Sequence, residues 1–241
     1  MSPPIALSDA HSASKVLRIF IADDHPIVRE GLKQILARTR DLSVVGEASD
    51  GQELLARIRR TACDVVLLDI SMPGRSGLDV LKQLKTRLPR LALLVLSQHP
   101  EDQYALRVLR AGAAGYLTKE SASDELVTAI RKVAAGGRYV SPSLAERLAA
   151  ELNNGDADDK PRHRSLSDRE YEVMRMIAAG HSVSEIAEEL ALSVKTISTY
   201  RARILGKMNM TKNADLIRYG LSHGLIDAEA APEAAAAPRR R

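Results

Sequence analysis

Five times between Val16 and Gly137 a short apolar run gives way to a longer amphipathic segment. The runs are Leu17–Ala22, Leu42–Ala48, Val65–Leu68, Leu91–Leu96 and Gly115–Leu117. The segments that follow them are Pro26–Arg38, Gly51–Arg60, Leu78–Leu88, Asp102–Ala111 and Ser123–Ala135, with apolar residues at helical spacing. A repeated strand-then-helix order leaves few architectures, because parallel strands need a crossover and the helix supplies it. Val65-Val-Leu-Leu68 is apolar throughout, as a central strand covered on both faces must be. The predicted fold is therefore an α/β doubly wound five-stranded parallel sheet.

The alternation stops at Gly137. Residues 138–165 read as a linker with a short amphipathic helix over Tyr139–Leu152 and a polar stretch over Asn153–Arg164. Residues 166–227 show helical patterns only, which predicts a small all-α domain. Residues 228–241 are rich in Ala, Pro and Glu, end in three arginines, and are expected to be disordered.

In open α/β sheets the functional groups gather at the carboxyl ends of the strands. The first strand ends in Asp23-Asp24, the third in Asp69, the fourth in Ser97, and the fifth leads into Lys119. Three carboxylates on one edge repel one another unless a cation lies among them. Mg²⁺ suits a site of few carboxylates, waters and phosphate oxygens. Lys119 and Ser97 add a charge and a hydroxyl that suit a phosphoryl group, and Asp69, on the most central strand, is the candidate nucleophile.

The segment Val16–Gly137 resembles a receiver domain of flavodoxin-like topology. The resemblance rests on Asp23-Asp24, on Asp69-Ile-Ser-Met-Pro-Gly-Arg-Ser-Gly77, on Ser97 and on Tyr116-Leu-Thr-Lys119. It implies that Asp69 takes phosphate from a sensor histidine kinase. It further implies that Asp23, Asp24, Asp69 and the Ser71 carbonyl hold Mg²⁺, that Lys119 and Ser97 meet the phosphoryl group, and that Tyr116 follows as a switch. Glu120 stands where many receivers have Pro, and Gln98 where a smaller residue or Met is usual.

In the C-terminal part, Ser167-Asp-Arg-Glu170 is a capping box that opens a helix with Val173, Met174, Ile177 and Ala178 on its apolar face. A short helix over Ser184–Leu190 and a longer one over Val194–Met208 follow, divided by a turn at Leu192-Ser193. From Ser193 to Lys212 there is no acidic residue, whereas the short helix carries Glu185, Glu188 and Glu189. A cationic helix beside an acidic one fits a DNA-reading element and its scaffold. At about 100° per residue, Ile197, Ile204, Leu205 and Met208 face inward. Lys195, Ser198 and Thr199 then become candidates for base contacts, with Thr196 on a flank, and Tyr200, Arg203 and Lys207 for backbone contacts. Arg201 leans to the apolar side, its stem packing and its head reaching phosphate. Leu166–Ile226 resembles the LuxR-type helix-turn-helix, and joined to a receiver it is similar to the NarL/FixJ response regulators. That resemblance implies double-stranded DNA and RNA polymerase as partners and a homodimer when phosphorylated, with the helix Asn213–His223 available for dimerisation.

Composition narrows the alternatives. With aromatics at 3% the cores must be aliphatic, and one cysteine, Cys63, cannot form an internal disulfide. No apolar stretch approaches a membrane span, so no membrane partner and a cytoplasmic location are expected. An enzyme is not expected: Asp69 lacks the Asp-x-Asp arrangement of haloacid-dehalogenase-like phosphatases, and no Gly-x-Gly-x-x-Gly follows the first strand. The competing reading is a phosphorylation-dependent protein-interaction adaptor with weak or no specific DNA binding.

Overall fold

The computed structural model describes residues 16–72, 76–98, 101–153 and 161–226. Five strands, β1 (Leu17–Ala22), β2 (Leu42–Ala48), β3 (Val65–Asp69), β4 (Ala92–Ser97) and β5 (Gly115–Thr118), form one parallel sheet in the order β2-β1-β3-β4-β5. The order reverses between β1 and β3, so their carboxyl ends flank the crevice where such sheets bind ligands. The helices α1 (Pro26–Ala37), α2 (Gly51–Arg57), α3 (Gly77–Arg87), α4 (Glu101–Arg110) and α5 (Ala122–Ala134) cover its two faces.

Alternate residues of each strand serve opposite cores. Val66 and Leu68 pack with Leu54, Leu81 and Val108, while Val65 and Leu67 pack with Leu36, Leu126 and Ile130. Val65 to Leu68 have no exposed surface. Each fully buried aliphatic side chain is worth about 1.5–3 kcal/mol, so this double burial fixes β3, and with it Asp69, more firmly than any edge strand.

The sheet does not stop at Gly137. Tyr139 pairs with the free edge of β5, its amide donating to Ala114 O at 2.9 Å and its carbonyl accepting from the Tyr116 amide at 3.2 Å. Helix α6 (Pro142–Asn153) follows, with Leu144 buried and the helix packed on α4. Both lie in the stretch read as linker. Residues 154–160 of that stretch and the tail over 228–241 lie outside the described residues.

The second domain starts with a 3₁₀ turn at Arg162–Ser165 and continues as α7 (Asp168–Ala178), α8 (Val183–Glu189), α9 (Val194–Met208) and α10 (Asn213–Ser222). The predicted capping box at Ser167 and Glu170 is present. A second, Ser182 with Glu185, opens α8 one residue before the predicted start. Ala191, in the turn between α8 and α9, has φ of 50°, and Ser193 caps α9 by accepting from the Thr196 amide at 3.0 Å. Val173, Met174, Ile177, Ile186, Ile197, Ile204, Met208 and Leu216 close the core. Among the described residues no helix is long and apolar enough to cross a membrane.

Candidate phosphoacceptor site and nucleic-acid interface

The parallel register carries Asp23, Asp69 and Lys119 to one place. Asp69 ends β3 with 1% of its surface exposed; Asp23, just past β1, is equally buried. Lys119 Nζ stands 2.7 Å from Asp69 Oδ2 and 2.7 Å from Asp23 Oδ2. The Ser71 amide donates to Asp69 Oδ1 at 2.8 Å, so both carboxylate oxygens of Asp69 are held. Burial works against the Lys119 ammonium, but Asp69 and Asp23 more than offset it and raise its pKa. One lysine charge thus faces two buried carboxyl groups, and burial raises the pKa of Asp69.

Ser97 ends β4 and is fully buried, and its carbonyl accepts from the Lys119 amide at 2.8 Å, tying the hydroxyl-bearing residue to the lysine through the main chain. Tyr116 lies on β5 with 1% of its surface exposed, so its ring is packed inward. Glu120 and Gln98, the two departures from the receiver pattern, are both exposed.

A cation fits this donor set. Asp23 Oδ2 meets the Lys119 ammonium and Asp24 Oδ1 the His25 ring, and among the described residues neither buried oxygen has a further partner. Asp23, Asp24, His25 and Asp69 each bring one ligand atom within 4.8 Å of the others. His25 was not among the expected site residues, because carboxylates alone account for a Mg²⁺ site; its place directly after Asp24 was the available signal.

Gly77 shows why the motif after Asp69 ends in glycine. A Cβ there would lie 2.4 Å from Ile70 Cα and 2.5 Å from Ile70 O. Only glycine lets α3 start against the Ile70 backbone that follows Asp69.

On α9 the predicted faces hold. Ile197, Ile204, Leu205 and Met208 are buried, and Lys195, Ser198, Thr199, Ala202 and Arg203 are exposed. A hollow of about 320 Å³ runs along the outer face between Ser193, Lys195, Thr196, Thr199, Tyr200 and Arg203. Thr196 is half-buried and its hydroxyl lies 2.7 Å from that of Ser193, at the cap. Thr199 donates to Lys195 O at 2.9 Å, which leaves its methyl and oxygen lone pairs outward. Tyr200 is half-buried against the core.

Two cations have protein partners that the sequence does not display. Lys207 Nζ binds Glu170 Oε2 at 2.6 Å, so it braces the capping box of α7, and Glu170 is held below the ordinary carboxylate range despite its burial. Arg201 Nε donates to Asn213 Oδ1 at 2.7 Å, joining α9 to α10 where a reach toward phosphate was expected.

The receiver side grips the helical domain through Arg107, Tyr104 and Lys82. Arg107 of α4 donates to His163 O at 2.6 Å, Leu166 O at 3.1 Å and Asp168 Oδ1 at 3.3 Å, and its guanidinium lies 4.0 Å from the centre of the Tyr171 ring. Tyr104 meets Tyr171 edge-on at 5.5 Å, and Lys82 also pairs with Asp168. A cleft of about 850 Å³ between the domains is bordered by Asp79, Lys82 and Arg110 on one side and by Tyr200 and Arg203 of α9 on the other.

Residues 19–131 match the response regulator receiver domain, and residues 164–220 match the bacterial regulatory proteins of the luxR family. The response regulator GacA of Pseudomonas aeruginosa is 40% identical over 213 residues, spanning 88% of this chain and 99% of that protein. The chain is a NarL/FixJ-family response regulator. UvrY of Escherichia coli is 38% identical over 214 residues, 89% of this chain and 98% of that protein. Among solved structures, RcsB of Salmonella enterica serovar Typhimurium bound to a promoter in the presence of a phosphomimetic aligns with a TM-score of 0.58 at 28% identity, covering 84% of this chain and 97% of that one. An RcsB–DNA complex aligns at 0.53 and 30% identity, covering 86% and 98%. This response regulator is accordingly a DNA-binding transcription regulator, of a family without enzymatic function.

Proposed function

We propose that Asp69 is the phosphoacceptor and that a sensor histidine kinase is the donor. The observation that carries this reading is the Lys119 ammonium 2.7 Å from both Asp69 and Asp23 at the switch point of the sheet. In the transfer an Asp69 oxygen forms the new bond to phosphorus, the bond from phosphorus to the kinase imidazole nitrogen breaks, and the nitrogen keeps the electron pair. Asp23, Asp24, Asp69 and the Ser71 carbonyl would hold Mg²⁺, which when bound supplies positive charge to the phosphoryl oxygens. Lys119 turns from Asp23 toward the phosphoryl group, and Ser97 donates its hydroxyl to it. Tyr116 follows Ser97 on the neighbouring strand.

The output is a change in domain arrangement and dimerisation, not a new fold of the helical domain. In the present arrangement Tyr200 and Arg203 border the cleft facing the receiver, which crowds the flank of the helix assigned to DNA. Phosphorylation at Asp69 alters the β4 and β5 ends beside α4, and α4 carries Arg107. A shift of a few kcal/mol between arrangements suffices for a switch.

Treatment with a small phosphodonor and Mg²⁺ should add a single phosphoryl group by intact-protein mass, and raise both dimer fraction and affinity for promoter DNA. Asp69→Asn should abolish all three changes. Modification that persists in that variant would overturn the assignment of Asp69.

A further inference from the structure

We infer that Thr199 and Ala202 form an apolar strip of two methyl groups on the outer face of α9 that reads the 5-methyl group of thymine, so that the preferred DNA carries thymine where this strip meets the major groove. The inference rests on the assignment of α9 as the DNA-reading helix and adds the chemistry by which part of that helix selects its bases.

A threonine brings two handles to a groove, a hydroxyl and a methyl. Here the hydroxyl of Thr199 donates to Lys195 O at 2.9 Å, one turn back along its own helix. That bond commits the hydroxyl hydrogen, which is then not available to an acceptor on a base edge, and it fixes the rotamer. The methyl is thereby held in one position on the outer face. Thr199 also borders the hollow of about 320 Å³ along this face, so a base edge has room beside the methyl.

Ala202 stands three residues further on, which places its methyl on the same face at about 5–6 Å between Cβ atoms. Both residues are exposed, while Ile197, Ile204, Leu205 and Met208 are buried on the opposite side. The exposed neighbours Lys195, Ser198 and Arg203 are polar or charged, so the two methyls are an apolar island within a polar surface. An alanine on a helix surface is ordinary for its propensity alone. At this position its shortness also lets a groove floor come close to Thr199, which a longer side chain would prevent.

In the major groove only the A·T pair presents a methyl, and the side chains of Ala and Thr are suited to contact it. Removing one methyl pair from water favours thymine by about fourfold. A guanine or adenine edge at the same place would set its polar atoms against the methyls without a partner, which disfavours both.

The test uses the full-length protein, treated with a small phosphodonor and Mg²⁺, and the duplex it selects from a random library. Each thymine of a half-site is replaced in turn by uracil, which keeps the pairing edge and removes only the methyl. About one or two of these replacements should lower affinity, each about fourfold. Thr199→Ser keeps the hydroxyl and removes the methyl, and Ala202→Ser sets a polar group in place of the second methyl. In a double-mutant cycle the uracil effect should vanish in the variant that lacks the facing methyl and persist in Thr199→Val, which keeps a methyl without the hydroxyl. The uracil replacements leave the protein untouched, so they decide the matter even where a variant loses its fold. Half-sites without thymine, no replacement that is felt, or a uracil effect undiminished in both serine variants would overturn the methyl strip. In that case α9 stands as the reading helix if Lys195→Ala weakens binding. If Lys195→Ala and Arg203→Ala leave affinity and its salt dependence unchanged, the assignment of α9 falls and this inference with it.

Discussion

His163 illustrates how one side chain reports on the join between the domains. Burial, and after it the positive charge of Arg107, push its pKa from 6.5 down to about 4. The folded protein favours the neutral ring, so the unfolded chain takes up a proton first as the pH falls. The contribution is complete above about pH 6.5 and is lost on the way down to pH 4; with the ring only partly enclosed, on the order of 2 kcal/mol is at stake. Thermal melts should show the wild type losing stability over that window and His163→Gln losing distinctly less. Parallel pH profiles for the two proteins would contradict this placement of the ring. Lys207 carries a lesson of the same size. Its periodicity put it on the outer flank of α9, which is correct, but its ammonium is held by Glu170, 37 residues away in sequence. A helical wheel reports direction and not partners.

Single helices and turns were legible wherever hydrophobic period and capping agreed. The ends of α9 and its buried positions coincide with expectation because Ser193 caps the helix and its apolar residues recur at helical spacing. Helix α8 was placed one residue late: Ser182 and Glu185 form the capping box that starts it at Val183. The left-handed Ala191 between α8 and α9 was invisible, since no glycine marked it. An L-residue there costs about 1–2 kcal/mol relative to its usual conformations. Ala191→Gly is therefore expected to stabilise the protein by about 1 kcal/mol in urea unfolding; an unchanged or lower midpoint would contradict it. On α9 itself, Thr199→Ala should change which promoter bases are preferred. Arg203→Ala should weaken all sites alike and reduce the slope of affinity against salt by about one contact. The reverse pattern in a binding-site selection would mean that the helix lies differently in the groove.

At the level of the whole molecule the two-domain plan and the edge of carboxylates were readable in the chain, because each is a repeated local pattern. The grip between the domains was not. Arg107, Tyr104, Lys82, Asp168 and Tyr171 are unremarkable in their own segments and matter only where α3 and α4 meet α7. Their importance is testable. Arg107→Ala should let the unphosphorylated protein open, with a larger radius of gyration in solution scattering and DNA binding tighter by about tenfold, equivalent to ~1.4 kcal/mol. Equal radius and equal affinity would show that this arginine does not govern the arrangement.

Two of the three oxygens that Arg107 engages, His163 O and Leu166 O, belong to the main chain. Every amino acid presents a carbonyl there, so this half of the grip survives replacement of the residues that carry it. Only Asp168 and Tyr171 need to be kept as side chains. A receiver with this arginine is thereby ready to accept a foreign helical module of the same type that brings an acid and an aromatic in the first turn of its leading helix. Gene fusion can exchange the output domain without rebuilding the joint, and the same economy guides the construction of chimeric regulators.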